Sequence, residues 1–190
     1  MYLTDYHTHS CCSPDSTARL EDMVRAARRA GLRELCTTDH CDLQQADGTA
    51  LGEWDWGPIL EQFEEAEFFQ YREDFRLQLG LELGGGYTNP GRAEEILSGA
   101  PLDFVIGSIH MAGKKFHHKD LYYIEKADEA YYDSVIDSYL EDVLALARWG
   151  EFQVLGHLTL PLRYMKEHLG LDWSFAPWMD RVEEIFSVII

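Results

Sequence analysis

The amino-acid sequence predicts an α/β architecture built on parallel strands. Short runs of strand-type residues alternate with amphipathic helical stretches along the whole 190-residue chain. A chain that returns through a helix after each strand lays successive strands side by side in one direction. The second observation is chemical. Each strand candidate ends on a histidine or a glutamate, and in parallel α/β sheets and barrels the ligand site lies at the carboxyl edge of the strands.

Taken in order, the first strand leads into DYHTHS, residues 5–10. Alternate side chains of a strand share a face, so His7 and His9 project together while Thr8 points away. That geometry suits one metal ion; a pair of polar residues at a strand end is the plainer alternative. After SPDST, the spacing of Leu20, Met23, Val24 and Ala27 predicts a helix that stops at Gly31. ELCTTDH is the second strand. Pro58 opens a second helix with Ile59, Leu60 and Phe63 on one side, and RLQLGLELG alternates strongly, with Leu77, Leu79, Leu81 and Leu83 on one face and Gln78, Gly80 and Glu82 on the other. A third helix is expected from about Pro90, followed by the strand DFVIGSIH. The fourth helix carries a continuous apolar stripe of Tyr132, Val135, Ile136, Tyr139, Leu140, Val143, Leu144 and Ala147, which reads as core. FQVLGH is the fifth strand, and a last helix is expected from about Pro177 to the end.

The strands therefore stop at His7 and His9, at His40, at Glu82, at His110 and at His157. Convergence of these residues at one sheet edge would assemble a metal site from widely separated parts of the chain. His117 and His118, in the loop KKFHHKD, and His168 fit surface or supporting roles better, with substrate contact open to one of the loop pair.

Composition narrows the partners. At 46% hydrophobic and 13% aromatic the chain suits one globular domain, burying roughly 70% of its unfolded surface. It has no apolar run near the ~20 residues of a membrane span, and MYLTDY lacks the basic and apolar regions of a signal peptide; a cytoplasmic location is the expectation. A formal charge of −18 argues against nucleic acid or an anionic membrane as partner, because phosphate backbones are bound by clustered Lys and Arg. Cys11, Cys12, Cys36 and Cys41 form no paired spacing and read as reduced thiols, with Cys41 a small packed residue or, less simply, a metal ligand beside His40.

The ordered set of HxH at His7 and His9, TDH at His40, LGLELG at Glu82, GSIH at His110 and GHL at His157 resembles the PHP (polymerase and histidinol phosphatase) superfamily. SPDS, KDLYYIE and the pair Arg163 and Tyr164 extend the likeness, which runs over essentially all 190 residues and is nearest to the monofunctional histidinol-phosphate phosphatases. The resemblance implies a distorted (β/α)7 TIM-like barrel with two or three divalent ions, zinc, manganese or iron. Carried over residue by residue, it assigns His7, His9 and Glu82 to a first metal and lets Glu82 bridge to a second held by His110 and His157. Asp15 and His40 would serve a third. Many relatives have histidine where this chain has Asp15, and the oxygen ligand favours manganese or iron there. The family pattern also includes a final Asp-x-His motif, and nothing after His168 matches it. The expectation is thus a single PHP domain over 1–190, truncated after about five β/α units and lacking one or two more, with three of four ligands left on the first metal and two on the third. Thr159 stands where the phosphatase group implies an aspartate.

The narrower likeness implies hydrolysis of L-histidinol phosphate to L-histidinol and phosphate in histidine biosynthesis, with Glu82, His110 and His157 at the catalytic centre. Clustered divalent ions suit this slow reaction because they activate water and clamp phosphoryl oxygens. Arg163 is a candidate phosphate contact, since guanidinium grips two oxygens at once, and the alternative is a surface arginine on a loop. Asp42 or Glu53 would meet the substrate ammonium. The long connection of residues 41–57 would cap the site, with Trp54 or Trp56 either stacked on an imidazole or simply packed. Two other readings stay open: a phosphoesterase acting on nucleotides or nucleic-acid ends, and a metal-binding remnant without activity.

Overall fold

A computed structural model describes residues 1–68 and 75–190. Five strands, β1 (Thr4–Thr8), β2 (Glu34–Asp42), β3 (Arg76–Gly84), β4 (Phe104–Ser108) and β5 (Val154–Leu155), form one sheet in the order of the sequence. Every neighbouring pair is parallel. The crossovers are α1 (Leu20–Arg29), α2 (Gly57–Glu67), α3 (Pro90–Ser98) and α4 (Glu129–Trp149), and α5 (Leu160–Leu169) and α6 (Met179–Ile189) follow β5. The α/β class with parallel strands is as the alternation predicts.

The sheet is curled. In a flat sheet, strands ~4.8 Å apart would hold the first and fifth ~19 Å from each other. Instead the rings of His7 on β1 and His157 just after β5 lie 5.6 Å apart, centroid to centroid. Closure of this kind turns five strand ends into a cup.

Helices form where the caps and stripes direct them. Asn89 accepts a hydrogen bond from the Arg92 amide to start α3, with Pro90 in its first turn. Asp128 does the same for α4 through the Tyr131 amide, and Gly150, at φ +73°, ends it in the left-handed conformation that a glycine adopts without a Cβ penalty. The Leu20 amide at the start of α1 is satisfied from another helix, by the Gln62 side chain of α2 at 3.2 Å. All eight residues of the expected α4 stripe are buried, in a cluster shared with Val182 and Ile185 of α6. Tyr139 is completely buried within it, and its hydroxyl points to the His157 carbonyl at 3.4 Å.

Three expectations need correction. The segment after β5 is the helix α5 rather than a loop, so Arg163 is a helical residue; Pro161 in its first turn and buried Leu160 and Met165 hold it to the core. β5 is reduced to Val154–Leu155: the Val105 amide of β4 is taken by the Gln153 side chain at 2.7 Å, and His157 already lies beyond the ladder. Pro177 sits in a 3-10 turn, Ala176–Trp178, and α6 begins at Met179. Among the described residues no helix is long and apolar enough to cross a membrane.

Candidate metal centre

The strand register builds the site. His40 of β2 lies opposite Glu82 of β3, and Ile106 of β4 is the partner of Glu82 on the other side, which brings His110 to the same edge. His7 enters from β1 and His9 follows it; the β1–β2 register shifts between Asp5 and Thr8, and both rings still reach the cup. His157 closes it from the end of β5.

Glu82 is fully buried and stands at the centre of five imidazoles. Its Oε2 lies 3.1 Å from His7 Nε2, 3.5 Å from His9 Nε2 and 3.3 Å from His40 Nδ1. Its Oε1 lies 2.7 Å from His157 Nε2 and 3.1 Å from His110 Nε2. Burial alone would raise the Glu82 pKa, but the hydrogen bonds from His110, His157 and His7 outweigh it and hold the carboxyl far below its usual range. For His110, burial is likewise overcome by the Asp42 and Glu82 carboxylates, which lift its pKa to about 10. The Glu82 contact also raises His7, whereas burial and the neighbouring His40 lower His9.

Divalent ions fit these residues. Three sets combine nitrogen and carboxylate donors within ligand range of one another: His7, His9 and Glu82; His9, Asp15 and His40; Glu82, His110 and His157. A fourth set is His40, Asp42 and His110. His110 Nε2 and His157 Nε2 face each other at 3.2 Å, near the ~3.3 Å edge of a tetrahedron with Zn–N bonds of about 2.0–2.1 Å. Buried Nδ1 atoms of His9 and His157 find no hydrogen-bond partner among the described residues, and His40 Nδ1 lies 3.3 Å from Glu82 Oε2 without hydrogen-bond geometry. One carboxylate cannot satisfy so many imidazoles.

Not every residue that builds the cup was apparent in the sequence. Asp39, also buried, accepts hydrogen bonds from the Ser10 amide at 2.6 Å, Ser10 Oγ at 2.8 Å, Ser13 Oγ at 2.6 Å and Thr37 Oγ1 at 3.1 Å. Ser13 Oγ in turn accepts from the His40 amide at 3.0 Å. This clamp ties the loop carrying His9 and Asp15 to β2. An acid set among hydroxyls in an otherwise buried strand, TTD before His40, is the signal that could have revealed it.

The other candidates divide. Asp15 reaches the cup edge, with Oδ2 3.5 Å from His40 Nε2. Asp42 is there too, with its Oδ1 2.6 Å from His110 Nδ1. Glu53 is exposed on the connection before α2. Trp54 and Trp56 touch each other edge to face at 5.6 Å, and Trp56 Nε1 donates to the Ile96 carbonyl of α3 at 3.0 Å. Both belong to the cluster of Leu81, Leu83 and Ile96, so packing is what the structure gives them. Arg163 is 56% exposed at its side chain and lies over the Tyr164 ring at 5.0 Å. His168 packs against Tyr122 and Tyr164, while His118 borders a narrow pocket beside His110. All four cysteines are free thiols, and burial pushes Cys36 and Cys41 up to about 12.

Comparison with known proteins places this geometry. The chain is 27% identical over 208 residues to the "Probable histidinol-phosphatase" of Deinococcus radiodurans, covering 97% of this chain and 77% of that one. It is 29% identical over 164 residues to the histidinol-phosphatase of Lactococcus lactis subsp. lactis, covering 84% of this chain and 58% of the relative. The crystal structure of a histidinol phosphate phosphatase from Lactococcus lactis subsp. lactis, complexed with zinc, L-histidinol and phosphate, superposes with a TM-score of 0.78 at 22% identity, covering 98% of this chain and 68% of that one. The family model described as PHP domain matches residues 5–190. With the ordered histidines and Glu82 gathered at one sheet edge, this chain belongs to the PHP domain family.

Proposed function

We propose that this chain hydrolyses a small phosphate monoester, L-histidinol phosphate, to L-histidinol and phosphate, with two or three divalent ions held by His7, His9, Asp15, His40, Glu82, His110 and His157. The observation that carries the reading is the buried Glu82 carboxylate ringed by five imidazoles. The substrate choice is supported by the names of the relatives and by the zinc, histidinol and phosphate found in the Lactococcus structure.

Glu82 faces two ways: Oε2 toward His7, His9 and His40, and Oε1 toward His110 and His157. That division suits one carboxylate serving two ions. Divalent ions held there supply Lewis acidity, which draws charge from phosphoryl oxygens and eases deprotonation of water. The chain's part is positioning. Asp39 fixes the loop of His9 and Asp15, and the rigid β2–β3 register fixes His40 against Glu82. Arg163, in the first part of the helix that leaves His157, would bind a phosphoryl oxygen pair as a fork. In a chain of net charge −18, the anionic substrate is bound by local positive charge and not by the overall field.

The test is phosphate release by the zinc- or manganese-loaded chain from L-histidinol phosphate, a nucleoside monophosphate and a 3′-phosphorylated oligonucleotide. Release from histidinol phosphate alone is the expected result. Preference for either nucleotide substrate moves the chain to the nucleotide phosphoesterases, and metal uptake with no release from any substrate establishes a binding protein without this activity.

A further inference from the structure

The contact between Asp42 and His110 spans three strands. Asp42 is on β2 and pairs with Gly84 on β3, and Gly84 pairs with Ser108 on β4, just before His110. A side chain on β3 at this point would stand between the two. A Cβ at Gly84 would collide with Asp42 Oδ1 and would come within 3.3 Å of His110 Nδ1. Glycine at 84 therefore opens the passage through which the carboxylate reaches the ring, at 2.6 Å.

The direction of that bond is determined by chemistry. An ionised carboxylate only accepts, so the proton of the bond sits on His110 Nδ1. The other ring nitrogen, Nε2, is then presented to Glu82 Oε1 at 3.1 Å and to His157 Nε2 at 3.2 Å. A narrow pocket bordered by Asp42, Gly84, Tyr87, His118 and Asp142 lies beside the ring. Histidines that bind metals through one nitrogen characteristically donate the other N–H to such an acceptor, which sets tautomer and ring orientation.

We infer that Asp42, admitted by Gly84, is a positioning residue: it holds His110 with its proton on Nδ1 so that Nε2 is the nitrogen offered to a metal between Glu82, His110 and His157. The inference rests on the metal-dependent reading above. It differs from the ammonium-binding role expected for Asp42. It also competes with a definite alternative, in which Asp42 itself is a ligand together with His40 and with His110 through Nδ1; His40 Nδ1 is 3.9 Å from Asp42 Oδ2.

Long-range proton–nitrogen correlation spectra of the zinc-loaded, nitrogen-15-labelled chain distinguish the two. The expected spectrum shows a protonated, downfield His110 Nδ1 and a zinc-shifted Nε2. Zinc on Nδ1 overturns the inference without any variant being needed. Zinc affinity, measured by chelator competition, gives the second readout: Asp42→Asn should weaken it by about 10–100-fold, and Gly84→Ala should do so with the carboxylate still in the chain. Parent-like affinity in either folded variant also overturns the inference. A parent chain that takes up no zinc defeats the metal reading itself, which is a different result from a variant that behaves like the parent.

Discussion

Asp39 and Glu82 are both buried carboxylates on adjacent strands, and their surroundings differ in kind. Asp39 meets an amide and three hydroxyls, all neutral, at 2.6–3.1 Å. Its donors suffice, and the arrangement closes on itself. Glu82 meets five imidazoles, two of which, His9 and His157, keep a buried nitrogen with no partner among the described residues. A buried polar group that serves the fold is matched by its neighbours. Imidazole nitrogens in excess of the carboxylates that face them are what a site for cations requires.

The sharpest way to break this contrast is Glu82→Gln. Loss of one carboxylate that serves two ions should cost more metal affinity than the ~100-fold attached to an outer partner, and hydrolysis should fall with it. Elemental analysis and a phosphate assay on the same preparation check both, and a variant with the parent's rate removes Glu82 from the bridging position. Asp39→Asn should act in the other currency. Replacing an acceptor of several hydrogen bonds by an amide that must donate to some of the same groups should lower folding stability by about 2–4 kcal/mol. Urea denaturation in the presence of a chelator measures it, because the Asp39 clamp contains no metal-ligand atom. A loss that appears only with metal bound would mean that Asp39 belongs to the cage after all.

Strands and helices were legible where one periodicity dominated. Tyr132 to Ala147 repeats so regularly that α4 follows from the sequence, and the leucines of β3 are as clear. α5 was not legible, because only Leu160, Pro161 and Met165 of its residues are buried, too thin a stripe to stand out beside Pro161. The cup could be located because its donors sit at strand ends, a property of position along the chain. The contact of Asp42 with His110 is not legible in the sequence, because it depends on the absence of a side chain at Gly84, in another strand. That fact lives in the sheet register and not in the neighbourhood of residue 42. Asp39 was hidden for a related reason: its partners Ser10 and Ser13 come from the loop after β1.

Two smaller predictions sharpen the boundary between cage and scaffold. Arg163→Ala should lower kcat/KM roughly tenfold to a hundredfold if its guanidinium holds the phosphate, as charge-assisted hydrogen bonds worth ~1.5–3 kcal/mol imply. Zinc content should stay at the parent level, since Arg163 donates to no metal. An unchanged kcat/KM would leave Arg163 to its contacts with Tyr164 and Glu167. Trp56→Phe lies at the scaffold end. The ring that packs on α3 is largely kept, but the Ile96 carbonyl loses its indole donor, so stability should fall by about 1 kcal/mol with KM unmoved. The carbonyl it abandons is in α3, in the cluster of Leu81 and Leu83, whose side chains alternate with Glu82 along β3 and so point away from the imidazoles. A rise in KM on this substitution would put the indole against substrate and return the β2–α2 connection to the role of a cap.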